Sequence, residues 1–260
     1  MNYGFIGFGN LATAIYQGLK NEDNLRFAYF DQIRKNVELP FLQLEELTTF
    51  ADVIFLTVKP QNLTEVLQQL QPLPRDGKVV VSPVAGKSIA FIENYLGKVQ
   101  PIVRIMPNLA IAYKKSVTAF ATHHPNNERV NEIYRVLTKL GKVVEVDEND
   151  FDLFTSVFGS GPAFILAFLN VFRDKIREFN LPDSEIDELL VQLTEGTLSY
   201  FSENRSRCSI EELIRNVTSK GGTTEAGLNY YYEHHIDQLI EGVLEAAKNR
   251  SIQMSNNELN

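Results

Sequence analysis

Tyr3-Gly4-Phe5-Ile6-Gly7-Phe8-Gly9-Asn10-Leu11-Ala12 is the stretch on which the fold turns. Its apolar, aromatic-rich first half reads as a buried strand, and Ala12 to Lys20 carries apolar residues at helical spacing. Between them, Gly7 and Gly9 allow a tight turn and a close backbone approach to a pyrophosphate, whose charge is favoured at the N-terminus of the following helix. Ala12 stands in for the third small residue of a dinucleotide fingerprint. As a bare string the pattern is weak; a strand before it and a helix after it favour dinucleotide binding over a purely structural turn. Ile6, Gly7, Phe8, Gly9, Asn10, Leu11 and Ala12 are therefore the first candidate cofactor residues.

Outward from this turn, β-rich runs alternate with helical stretches. Strands are expected at Leu25 to Phe30, Val53 to Val58, Val79 to Val81, Ile102 to Ile105, Val117 to Ala121 and Val143 to Val146, with helices at Leu63 to Leu70, Ser88 to Leu96 and Asn127 to Leu140. Such alternation implies parallel pairing in a doubly wound α/β sheet. After Asp147 the pattern is helical: Pro162 to Asn180, Pro182 to Phe201, a helix opened by the capping-box spacing Ser209/Glu212 and running to Val217, and His235 to Arg250. The polar tail from Ser255 is expected to fray. These patterns divide the chain into a dinucleotide-binding domain, residues 1–155, and a helical domain, residues 156–260.

Composition narrows the function classes. With 260 residues, 44% hydrophobic and 22% charged, the chain can bury a sizeable core, which excludes disorder. No run approaches the roughly 18 consecutive apolar residues of a membrane span, and Met1-Asn2-Tyr3 is not a basic leader, so no membrane association and a cytoplasmic location are expected. A single cysteine, Cys208, rules out an internal disulfide or a cysteine-based metal site, and no metal is expected. The net charge of -8 argues against a nucleic-acid partner. That charge is unevenly placed: residues 1–155 hold 16 basic and 17 acidic side chains, residues 156–260 hold 9 and 16.

Further motifs fall at strand ends, the side of such sheets where ligands bind. Asp31 ends the second strand, where a carboxylate accepts hydrogen bonds from ribose hydroxyls and repels a 2′-phosphate; Arg34 and Lys35 just beyond could attract one, leaving NADH and NADPH both open. Val58-Lys59-Pro60-Gln61 and Val84-Ala85-Gly86 follow the next two strands, and Arg104-Ile105-Met106-Pro107-Asn108 a later one. In the helical half, Gly159-Ser160-Gly161-Pro162 opens a long helix. Asn216-Val217-Thr218-Ser219-Lys220-Gly221-Gly222-Thr223-Thr224 combines accessible amides with the hydroxyls of Ser219, Thr223 and Thr224, a setting suited to a carboxylate. An ordinary helix cap explains Ser219 or Thr223 singly but not the whole run.

In order along the chain, GFIGFGNLA (4–12), VKPQ (58–61), VAG (84–86), RIMPN (104–108), GSGPAF (159–164) and NVTSKGGTTEAGL (216–228) resemble the pyrroline-5-carboxylate reductase family. The last two are the family-specific ones. The resemblance implies a Rossmann domain binding NADPH or NADH, followed by an all-helical domain that intertwines with a second subunit, as a homodimer that can assemble further into rings. It implies that Ile6 to Leu11 hold the pyrophosphate, that Val58, Lys59, Pro60, Ala85 and Gly86 line the cofactor cleft, and that Met106, Pro107 and Asn108 lie near the nicotinamide. It places a cyclic imino acid on Asn216, Ser219, Gly222, Thr223 and Thr224, with amides and Ser219 on its carboxylate and Thr224, the catalytic candidate, on its ring nitrogen.

The chain departs from the family pattern at several points. Leu109-Ala110 replaces Thr-Pro, Ser116 stands where glycine is common, Lys220 replaces the proline of Ser-Pro-Gly-Gly, and Asp31 sits where NADPH-preferring relatives place a small hydroxyl residue. Lys220 adds a cation beside the expected carboxylate site and removes a fixed φ. Two rival readings stay open: a reductase of another imine or a 2-hydroxy acid, for which Lys175 is the sole lysine of the first long helix, and a non-catalytic dinucleotide sensor. The apolar run Ala163 to Phe172 suits either a core helix or a dimer interface.

Overall fold

A computed structural model of the chain describes residues 1–256. It divides into two compact units, one formed by Met1–Ser160 with Glu245–Asn260, the other by Gly161–Leu244. In the first unit the strands β1 (Asn2–Ile6), β2 (Arg26–Phe30), β3 (Val53–Leu56), β4 (Val79–Ser82), β5 (Ile102–Met106), β6 (Ser116–Thr122) and β7 (Gly141–Glu145) form one sheet in the order β2-β1-β3-β4-β5-β6-β7. Helices α1 (Asn10–Leu19), α2 (Leu44–Phe50), α3 (Leu63–Leu70), α4 (Ile89–Leu96) and α5 (Glu128–Thr138) cover it. The doubly wound α/β expectation therefore holds, with two departures.

The first departure is that β6 runs antiparallel to β5, pairing Ile105 with Phe120. Only residues 107–115 separate these strands, fewer than the dozen or so that a parallel crossover requires, and Leu109–Tyr113 coil into a 3-10 turn instead. The second is α2, which the hydrophobic pattern does not reveal. Glu46 accepts the Gln43 N–H at 2.9 Å, closing the first turn of a seven-residue helix whose cap is not one of the usual Ser, Thr, Asp or Asn.

Period-two alternation along the strands sorts their side chains to opposite faces of the sheet. Phe5, Phe55, Val81 and Ile105 pack with Ile15 and Leu19 of α1 and Ile133 and Leu137 of α5. Ile6, Ile54, Val80 and Ile102 pack with Leu47, Leu63, Leu67 and Ile92 of α2, α3 and α4. With both faces covered, β3 and β4 read as unbroken apolar runs, as buried parallel strands do.

Helix α6 (Phe151–Phe154) passes into a π turn, Thr155–Gly159. The helical unit then holds α7 (Gly161–Ile176), α8 (Asp183–Asn204), α9 (Ile210–Asn216), α10 (Thr223–Glu233) and the start of α11 (Ile236–Asn256). The expected capping box is present: Ser209 Oγ accepts the Glu212 N–H and Glu212 accepts the Ser209 N–H. Arg173 of α7 pairs with Asp187 of α8 at 2.5 Å. Helix α10 is absent from the sequence reading because Gly227 and a tyrosine run obscure its periodicity. Glu148–Phe179 forms a helical stretch long and apolar enough, by length and composition alone, to cross a membrane; no single run in the sequence suggests it, because the apolar residues are interspersed. Ile165, Leu166, Phe168 and Val171 on it are more than half exposed in the isolated chain. Ser255 is helical, and the rest of the tail expected to fray lies outside the described residues, apart from Asn256 at the end of α11.

Candidate active site

In the sheet order, β1 is flanked by β2 on one side and β3 on the other, so the chain's winding reverses there and leaves a crevice at the strands' carboxyl ends. A cleft of about 570 Å³ occupies this position, lined by Gly7, Phe8, Gly9, Asp31, Lys35, Thr57, Val58 and Lys59 among others. The two turn glycines serve different ends. Gly7 has φ +85°, and a Cβ there would lie 2.9 Å from the Thr57 carbonyl oxygen and from Val58 Cγ1. A Cβ at Gly9 would meet nothing within 4 Å. Packing explains Gly7 and leaves Gly9 unexplained, unless something outside the chain approaches its backbone.

Gly9 caps α1 without any side-chain hydrogen bond to the first-turn amides. Those amides and the helix dipole form a ready site for an anion. Phe8 presents its backbone to the cleft while its ring packs 4.8 Å from that of Tyr29. Ala12 is fully buried, where a small residue lets α1 approach the sheet, and Asn10 is exposed. A glycine cradle open on one side, an uncapped helix N-terminus and a carboxylate at the end of β2 fit a dinucleotide.

Asp31 is fixed at the lip of this cleft. Its Oδ2 accepts the Phe8 N–H at 2.8 Å, Oδ1 accepts the Ile33 N–H at 3.1 Å, and Lys35 Nζ stands 3.6 Å from Oδ2. The Tyr29 hydroxyl pins Lys35 by donating to its carbonyl and accepting its N–H. Arg34, by contrast, is exposed, with its guanidinium 6.0 Å from the Phe41 ring, and does not line the cleft. Gln32, Gln61, Asn62, Glu65 and Gln69 do line it, the last two from α3. Gln61 belongs to the VKPQ motif and Gln32 adjoins Asp31, whereas no sequence signal marks Asn62, Glu65 or Gln69. Pro60 itself does not line the cleft but opens the 3-10 turn whose next two residues, Gln61 and Asn62, do.

Ala85 and Gly86 are not among the residues lining this cleft. Gly86, at φ +69°, lies under the end of α11, where a Cβ would come 2.8 Å from Met254 Cβ. The loop they belong to is tied to the Arg104 strand through Glu148. Glu148 Oε1 accepts the Ile89 N–H at 3.0 Å and pairs with the buried Arg104 at 2.8 Å, and the Arg104 guanidinium lies 4.3 Å from the Phe151 ring centre. Met106 lies beside Gly159, Sδ 3.7 Å from where its Cβ would be, and Asn108 Nδ2 donates to the Phe158 carbonyl at 2.8 Å. The RIMPN and GSG motifs, fifty residues apart in sequence, thus meet at the π turn, a type of helix defect frequent at functional sites. Ser160 N–H closes that turn on the Thr155 carbonyl at 2.8 Å.

In the helical unit, residues 217–222 form the turn between α9, which ends at Asn216, and α10, which opens with Thr223 and Thr224. Gly221 has φ +72°, and its N–H donates to Glu225 Oε2 at 2.7 Å. Gly222 caps α10 with no side-chain hydrogen bond, and a Cβ there would collide with Ser219 Oγ. Asn216, Ser219, Thr223 and Thr224 are exposed, so the loop gathers hydroxyls around an uncapped helix N-terminus. None of the four histidines lies in this loop: His123 bonds Glu93 at 3.0 Å and His234 stacks on Tyr230. Lys175 pairs with Glu178 on the exposed side of α7 at 2.7 Å, leaving the 2-hydroxy-acid reading without a proton relay.

Residues 148–254 match the family model described as pyrroline-5-carboxylate reductase dimerisation, and residues 2–86 match one described as NADP oxidoreductase coenzyme F420-dependent. The chain is 33% identical to the pyrroline-5-carboxylate reductase of Staphylococcus haemolyticus, with 98% of each chain covered. Among solved structures, the Plasmodium falciparum pyrroline carboxylate reductase with NADP bound superposes with a TM-score of 0.91 at 25% identity, covering 98% of both chains. The Coxiella burnetii pyrroline-5-carboxylate reductase superposes with a TM-score of 0.81 at 26% identity, with the same coverage.

Proposed function

The chain belongs to the pyrroline-5-carboxylate reductase family, and from that membership we propose that it reduces 1-pyrroline-5-carboxylate to L-proline with NADH or NADPH. The observation that carries the reading is the presence in one chain of two separate polar cradles that folding alone does not explain. One is the cleft with Gly9 open to it; the other is the uncapped, hydroxyl-rich turn before α10.

When bound, the reduced dinucleotide supplies the hydride that the C=N carbon accepts. Gly9 and the first-turn amides of α1 hold the pyrophosphate, and Asp31 the adenosine ribose. Val58 and Lys59 wall the cleft, and Ala85, Gly86, Met106, Pro107 and Asn108 shape the nicotinamide end. The amides at the start of α10 and the Ser219 hydroxyl take the substrate carboxylate, Lys220 adds attraction, Asn216 and Gly222 shape the turn, and Thr223 and Thr224 supply the remaining hydroxyls. Thr224 orients the ring nitrogen. A cyclic imine is basic enough to be at least partly protonated near neutral pH, so the loop needs no strong acid, in keeping with its lack of histidine. The rate then comes mainly from holding donor and acceptor in a reactive geometry. Since the helical half carries most of the acidic surplus, local amides and Lys220 must draw the substrate carboxylate in.

The exposed apolar side of α7 serves as the surface between two copies of this chain, and dimers can assemble into a ring. A cytoplasmic location accompanies this reading. Steady-state kinetics of Thr224→Ala test the loop assignment: the expected result is a fall in kcat/KM of tenfold or more from loss of one polar contact. Unchanged kinetics would remove Thr224 from the mechanism.

A further inference from the structure

The sequence leaves the choice between NADH and NADPH balanced between Asp31 on one side and Arg34 with Lys35 on the other. The geometry of the cleft tips that balance. We propose that this chain prefers NADH, and that Asp31 is the residue that sets the preference. The inference rests on reading the cleft as the dinucleotide site.

The Asp31 carboxylate is held in place before any ligand arrives. One oxygen takes the Phe8 N–H at 2.8 Å and the other takes the Ile33 N–H at 3.1 Å. An ionised carboxylate has about four acceptor sites, so each oxygen can still accept one hydroxyl. A ribose with free 2′ and 3′ hydroxyls offers two adjacent donors, which suits this arrangement. A 2′-phosphate offers only acceptors and a charge of about -1.5 to -2, and here it would meet a carboxylate that cannot swing away without giving up two amides.

The cations do not reverse this. Arg34, whose planar fork would grip a phosphate through two parallel hydrogen bonds, lies toward the Phe41 ring and does not line the cleft. Lys35 does line it, but its ammonium stands 3.6 Å from Asp31 Oδ2, so its charge is already offset by the same carboxylate. The bonds from the Tyr29 hydroxyl fix the Lys35 backbone, and so the origin of its side chain, at the lip of the cleft. Beyond this pair, the lining residues contribute Lys59 and Glu65, which also balance. Among the residues lining the cleft, a 2′-phosphate therefore meets no unmatched positive charge.

Calorimetric titration of the full chain with NADH and with NADPH, without imine substrate, tests this by binding alone. NADH is expected to bind at least tenfold more tightly. Asp31→Asn keeps a carbonyl acceptor for the Phe8 N–H while removing the charge; it is expected to tighten NADPH binding fivefold or more and bring the two affinities together. Equal or tighter NADPH binding by the parent chain would overturn the preference. A parent preference for NADH that Asp31→Asn leaves unchanged, in a variant that unfolds at the parent temperature, would overturn the role of Asp31. Binding of neither dinucleotide would instead sink the reading of the cleft on which the proposal depends.

Discussion

Gly7 and Gly9 belong to one motif, yet substituting each with alanine should break the protein in different ways. At Gly9, φ is -93° and ψ -163°, values that any residue adopts, and the added methyl meets nothing within 4 Å. The unliganded fold should therefore change in stability by no more than about 0.5 kcal/mol, as for a surface substitution. The methyl would instead stand where a pyrophosphate must approach the first amides of α1. Charge-assisted hydrogen bonds are worth about 1.5–3 kcal/mol, so losing one weakens binding by about ten- to a hundredfold. At Gly7, φ is +85° and the new Cβ lies 2.9 Å from the Thr57 oxygen. Backbone strain of about 1–3 kcal/mol, with overpacking added, should lower the unfolding temperature visibly. Thermal unfolding and fluorescence titration with the preferred dinucleotide separate the two outcomes. A Gly9→Ala variant that folds normally and binds within twofold of the parent would refute the reasoning that assigns this glycine to ligand approach.

Other parts of the molecule make independent predictions. Glu148→Ala leaves the buried Arg104 guanidinium without its carboxylate, and denaturant titration should show a loss of about 3 kcal/mol, the low end for such pairs because Glu148 keeps some exposure. Burial holds the Tyr3 hydroxyl pKa well above the usual tyrosine value, and its oxygen has no hydrogen-bond partner among the described residues. The unfolded chain therefore loses this proton near pH 10 while the folded chain keeps it, so Tyr3 costs stability increasingly above pH 10. Tyr3→Phe should match the parent or exceed it at neutral pH and show a shallower alkaline decline by up to about 1.4 kcal/mol per pH unit, read from denaturant midpoints at a series of pH values. Leu166→Asp places a charge on the exposed apolar side of α7 and should yield monomers by light scattering at micromolar concentration; an unaltered oligomer would move the interface elsewhere.

How much of this was legible beforehand varies with the kind of interaction. The strand-turn-helix at residues 3–20 announced itself because hydrophobic period, glycine placement and helix pattern are all local. The six motifs named the family for the same reason. What stayed hidden depends on distant partners. The direction of β6 follows from the shortness of residues 107–115, a topological constraint rather than a residue preference. The turning of Arg34 toward Phe41, while Lys35 is drawn in by Tyr29 and Asp31, depends on side chains that only the folded strand end brings together. The packing of Met254 on Gly86 joins the last described turn of α11 to a loop early in the chain, and no pattern in either segment signals it. Helix α10 escaped notice because its N-terminus is given to the proposed substrate loop and its middle to a glycine and tyrosines, so local propensity and local use conflict.

Coupling of the proposed dinucleotide cleft to reduction of a cyclic imino acid, proposed to bind at residues 216–224, can be measured on the unmodified chain. The most direct test follows the absorbance of the reduced dinucleotide after adding 1-pyrroline-5-carboxylate to the purified chain, with L-proline quantified in the same reaction. Oxidation of the dinucleotide matched mole for mole by L-proline is the expected result. Tight binding of both reactants without oxidation, or oxidation without proline, would contradict it.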